Sequence, residues 1–155
     1  MKNAWQGIDR TILDVHKGAD IVLNLNSIPL PPLPSTYDVV VAFDVLEHLK
    51  YPALVLEWIP TEALWIPVPT ATSVNCQRIE IICHRVIKDF GHLYSFNMLT
   101  INNLVQECGW TVDESFYTLD TQSIYGRIFN YFASALPYWL SMGIALKCSK
   151  KKPES

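Results

Sequence analysis

Apolar residues along this chain gather into short runs separated by turn-forming residues: Ala19–Leu25, Val39–Phe43, Ala63–Val68 and Trp110–Tyr117. Runs of that length, bounded in this way, predict strands. The first three are apolar almost without interruption, as strands covered on both faces are, and that predicts a parallel sheet. Between Asn97 and Cys108 the spacing changes. Ile101, Leu104, Val105 and Cys108 fall at i, i+3, i+4 and i+7, one face of a helix, and Gly109 follows as its C-terminal cap. A second helix is predicted from Pro52, whose missing N–H suits a first turn. It should carry Leu54, Val55 and Trp58 inward and stop at Pro60. Strand and helix alternate, so the fold class is α/β. Pro67 and Pro69 predict that the third run serves poorly as a central strand beyond Ile66.

The linker-like stretch is Ser27–Ser35, where four prolines favour an extended path joining two strands. Internal repeats are absent. Ile128–Leu146 carries no charged residue and approaches the length of a bilayer span. Asn130, Ser134, Pro137 and Ser141 interrupt it, so a core helix followed by a buried strand is the expectation, with membrane contact through 128–146 the weaker alternative.

Composition narrows the classes. A chain of 155 residues fits one domain, 1–155, able to bury roughly two thirds of its unfolded surface. Half of its residues are hydrophobic and 17% are charged, a composition that folds rather than remaining disordered. The net charge of −3, with lysines clustered only at Lys147, Lys150, Lys151 and Lys152, argues against a nucleic-acid partner. The four cysteines form no CxxC pair, which suits a reducing compartment, and the opening MKNAWQGIDR lacks the apolar core of a signal peptide; the expected location is cytoplasmic.

Candidate chemistry concentrates after the second run, in DVVVAFDVLEHL (38–49). If Val39–Phe43 is an interior parallel strand, Asp44 stands at its carboxyl edge, where open α/β sheets place their ligand crevice, and Glu47 and His48 line or support that crevice. Asp44 and Glu47 also have capping-box spacing, so a plain helix start is the competing expectation.

The order of these segments resembles the class I S-adenosylmethionine-dependent methyltransferases. The carriers are Ala19–Asn26, Ile28-Pro29, the aromatic-Asp pair Tyr37-Asp38 opening a strand, and the Leu46-Glu47-His48 turn closing it. Downstream, Gly91-His92-Leu93-Tyr94-Ser95-Phe96 precedes an amphipathic helix ending Cys108-Gly109-Trp110, so the resemblance covers roughly Trp5 to Glu114. It implies a Rossmann-like, mostly parallel sheet flanked by helices, an S-adenosylmethionine cofactor, and methyl transfer to a small-molecule or other unidentified acceptor.

It also implies site residues. Trp5–Asp9 matches the family's second strand, which makes Asp9 the candidate for the ribose hydroxyls, since a carboxylate accepts both protons. Asn24 occupies a position near the adenine that is often Asp, and Asp44 and Glu47 complete the cofactor-binding candidates. Methyl transfer from a sulfonium is an in-line displacement with a neutral leaving group. The protein supplies alignment and water exclusion, and a base only where the nucleophile arrives protonated. His92 and His48 are the catalytic candidates. Tyr94, Phe96, Trp65 and Trp110 would wall a pocket or join the core. Cys76, Cys83, His84 and His92 are ligand types without zinc-finger spacing, so no metal site is expected.

The sequence departs from the family at its front. No glycine-rich cofactor loop precedes Trp5, so the usual first strand is expected to be missing from a domain shortened on its N-terminal side. A partner chain or a homodimer would then complete the sheet. The alternative function is a non-catalytic relative that keeps the scaffold as an interaction module.

Overall fold

The structure is a computed structural model that describes residues 7–70, 91–118, 136, 141 and 143–151. The chain divides into two compact units, Met1–Leu30 and Pro31–Ser155. In the first, β1 (Leu13–Asp14) and β2 (Ile21–Val22) pair in parallel, Leu13 opposite Ile21 and Asp14 opposite Val22. The Asp20 carboxylate accepts from the Ile12 N–H at 2.8 Å and helps close the intervening loop. The expected strand Ala19–Leu25 is thus realised only at Ile21–Val22. Gly7–Asp9, read as the end of a strand, form none.

The second unit holds a four-stranded sheet. Its elements are β3 (Val40–Val41), α1 (Pro52–Trp58), β4 (Ala63–Pro69), α2 (Met98–Glu107), β5 (Trp110–Thr118) and β6 (Gly143–Lys150). The strand order is β3-β4-β6-β5, with β3 parallel to β4 and β6 antiparallel to both of its neighbours. The sheet is therefore mixed, and the expectation of a mostly parallel one is corrected. The last strand enters between two earlier ones and contributes the buried residues Ile144, Leu146 and Cys148. This realises the buried strand expected at the end of 128–146. Among the described residues no helix is long and apolar enough to cross a membrane.

The same insertion corrects the placing of Val39–Phe43. In the four-stranded sheet β3 is an edge strand, and Val39 and Phe43 are 51% and 61% exposed. An apolar run is ordinarily evidence of cover on both faces. Here only the face carrying Ala42 is buried.

β4 accommodates its prolines by alternation. The Trp65 and Pro67 carbonyls accept from the Ala42 and Asp44 N–H groups at 2.9 and 3.1 Å, so odd-numbered residues of β4 present their backbone groups to β3. The N–H groups that Pro67 and Pro69 lack would face that short strand. Leu64, Ile66 and Val68 keep theirs for β6, and β4 runs to Pro69, past the predicted limit at Ile66.

Both helices form where expected. α2 is capped by Asn97, whose side chain accepts from Thr100 N–H at 2.9 Å while Thr100 Oγ1 accepts from Asn97 N–H at 2.9 Å, and Gly109 follows with a φ of 81°. Ile101 and Val105 are buried. α1 begins on Pro52 and buries Val55 and Leu56, while Leu54, expected inward, is 45% exposed. A helix this short turns one stripe inward, and that stripe runs through Pro52, Val55, Leu56 and Ile59. The helices meet where Cys108 Sγ lies 3.7 Å from the Ala53 carbonyl, and the buried Trp110 indole donates to the Leu56 carbonyl at 3.0 Å.

Candidate functional site

At the carboxyl end of β3 the backbone changes hand. Asp44 has a φ of 46°, in the left-handed region that a residue with a Cβ seldom enters, and its side chain is exposed. The chain then makes a single 3₁₀ turn, Leu46–His48. The capping box allowed by the Asp44 and Glu47 spacing does not form: Val45 precedes the turn and no side chain caps it. Leu46 and Glu47 point into the protein, while His48 is half-buried.

The loop from Gly91 is laid over this turn. Leu93 and Tyr94 both donate their N–H groups to the Glu47 carbonyl, at 2.6 and 3.2 Å, and the Tyr94 hydroxyl donates to the Lys50 carbonyl at 3.1 Å. Gly91, with a φ of 68°, sets its carbonyl 3.2 Å from His48 Nδ1. A carbonyl only accepts, so in the neutral ring Nδ1 carries the proton and Nε2 keeps its lone pair. That Nε2 lies 4.0 Å from Glu47 Oε1, and the His92 ring meets the His48 ring edge to face with centroids 4.7 Å apart.

The electrostatics follow from burial. Glu47 is 1% exposed, and neither carboxylate oxygen has a hydrogen-bond partner among the described residues. Burial lifts its carboxyl above the ordinary value; its own backbone N–H, too poorly placed for a hydrogen bond, pulls the other way, Asp44 pushes it further up and His48 opposes. His92 is held below the ordinary histidine value, first by loss of solvent and then by His48, with Asp44 opposing. Glu47, His48 and His92 each bring one ligand-type atom within 4.8 Å of the others.

The remaining candidates are not members of this cluster or lie outside the described residues. Asp9 is an exposed residue of the first unit. Asn24, in the same unit, spends its side-chain oxygen on the Asn26 N–H at 2.9 Å, an Asx turn of the kind that stabilises loops. Trp110 and Phe96 belong to the core, Tyr94 stacks on Phe96 at 6.0 Å, and Trp65 is on the exposed face of β4. Cys76, Cys83 and His84 lie outside the described residues. In the sequence Glu47 and His48 share one turn, while His92 stands more than forty residues away. No local pattern ties His92 to the turn, because the tie is a pair of backbone hydrogen bonds.

Neither a family model nor a curated protein matches the chain. Solved structures do. A SAM-dependent methyltransferase from Archaeoglobus fulgidus superposes with a TM-score of 0.50 at 16% identity, over 74% of this chain and 60% of its own. An S-adenosylmethionine-dependent methyltransferase from Mesorhizobium loti superposes with a TM-score of 0.55 at 9% identity, over 89% of this chain and 78% of its own. This chain thus spans under two thirds of the Archaeoglobus protein's length. With both likenesses covering most of its residues, the chain has the fold of the S-adenosylmethionine-dependent methyltransferases.

Proposed function

We propose that this chain serves methyl transfer from S-adenosylmethionine to an acceptor not yet identified. The observation that supports the reading best is the convergence, in a fold shared with such enzymes, of the β3 strand end at Asp44, the Leu46–His48 turn and the His92 loop. Open α/β sheets bind ligands beyond strand carboxyl ends. In this reading Asp44 is a cofactor contact and Glu47 supports the turn behind it. Asp9 and Asn24, both residues of the first unit, remain cofactor candidates on the sequence resemblance alone. His92 and His48 are the catalytic candidates, since a nucleophile that arrives protonated meets an imidazole edge there.

Calorimetric titration of the chain with S-adenosylmethionine, followed by competition with the demethylated product, tests this. Saturable heat that weakens about tenfold or more in Asp44→Asn supports the assignment. Absence of both heat and competition refutes cofactor binding by this chain. The second reading, a non-catalytic interaction module, is favoured by the exposed apolar edge at Val39, Val41 and Phe43, and it predicts self-association or partner capture that Phe43→Lys abolishes.

A further inference from the structure

We infer that Glu47, His48 and His92 form a binding site for one divalent transition-metal ion. The cluster offers one carboxylate and two imidazoles, with ligand-type atoms all within 4.8 Å of one another. Two imidazoles and one carboxylate are a donor set that holds zinc and related ions in tetrahedral or five-coordinate geometry with a position left open.

Two further observations point to a cation. The Glu47 carboxylate is buried to 1% exposure with both oxygens unpartnered among the described residues, a costly arrangement for an acid that a cation would relieve. The second is the support behind the ligand: His48 gives Nδ1 to the Gly91 carbonyl at 3.2 Å, which turns its Nε2 toward Glu47. Metal-bound histidines almost always donate their other ring nitrogen in this way, because it fixes the tautomer and the ring. The loop that brings His92 is itself anchored on the Glu47 carbonyl through Leu93 and Tyr94.

The donors stand wider than in a filled site. Bonds of about 2.0–2.1 Å place tetrahedral ligand atoms roughly 3.4 Å apart, so the widest pair must close by about 1.4 Å. Side-chain torsions of half-buried His92 can supply most of that movement while the His48 ring and the loop backbone stay anchored. Three protein ligands leave room for an oxygen donor from water or a small molecule. The inference concerns ion binding alone and stands whether or not the chain binds S-adenosylmethionine.

The test is titration of the metal-free 155-residue chain with Co²⁺, read by visible ligand-field absorption, followed by displacement with Zn²⁺ and a thermal melt with each ion. One equivalent should bind without the intense near-ultraviolet bands of cobalt–thiolate bonds, and should raise Tm. Glu47→Gln and His92→Ala should each weaken binding by no less than the about 10–100-fold that losing an outer-shell partner costs. Because His92 is a half-buried loop residue, its variant retains the fold, which circular dichroism verifies, and keeps the test decisive if Glu47→Gln misfolds. Failure to bind Co²⁺ or Zn²⁺, thiolate bands, or affinity unchanged in His92→Ala overturns the proposal.

Discussion

Replacing Glu47 with methionine in the presence of a chelator should stabilise this protein. The side chain is buried and makes no hydrogen bond among the described residues, so the folded state carries the desolvation cost of a carboxyl group without compensation. Leaving a buried polar group unsatisfied costs about 1–3 kcal/mol. Methionine has similar length and volume and adapts its shape, so its packing cost should stay below about 1.5 kcal/mol. The net expectation is a gain of up to roughly 2 kcal/mol, which for a domain of this size raises Tm by up to about 8 °C. Urea denaturation of both proteins, fitted with a common m-value, measures the difference directly. A loss of more than about 1 kcal/mol in Glu47→Met would refute the reasoning, because it would show that the carboxylate makes stabilising contacts in the folded chain.

Gly143→Ala should destabilise by about 1–3 kcal/mol, because an added Cβ would stand 2.6 Å from Thr118 Oγ1 and 2.9 Å from the Val68 carbonyl, one of them immovable backbone of β4; thermal melts of the two proteins measure it. Cys148, buried in β6 and pushed up to about 12 first by burial and then by Asp113, should resist iodoacetamide at pH 8 in the folded protein and react once unfolded. Its folded pKa is raised, so the stability that this neutral thiol contributes is fully present below the unfolded value of 9.0 and is lost as pH rises through about 12. Between those limits the wild type should lose stability more steeply than Cys148→Ala; equal slopes would contradict the assignment.

What the sequence determined by itself is what short-range forces decide. The stripe Ile101, Leu104, Val105 and Cys108 and the stop at Gly109 place α2 within one residue at each end, because helix hydrogen bonds close within a few residues. Trp110–Tyr117 likewise forms a strand one residue longer than its pattern. The turn after Phe43 was legible as a candidate site, since open α/β sheets place their ligands beyond strand carboxyl ends.

Strand partners were decided only by the tertiary structure. Backbone hydrogen bonds are nearly blind to side-chain identity, so nothing in Val39–Phe43 announces that β6, a hundred or so residues later, enters the sheet on the far side of β4 and leaves β3 at its edge. The same long-range pairing makes Pro67 and Pro69 tolerable, because the register turns their missing N–H groups away from β6. It also folds the Gly91 loop onto the Glu47 carbonyl, bringing His92 to His48 beside the buried Glu47 carboxylate. Residue types name what a site can contain, whereas closure of distant segments, at an entropic cost that packing must offset, decides which of them meet.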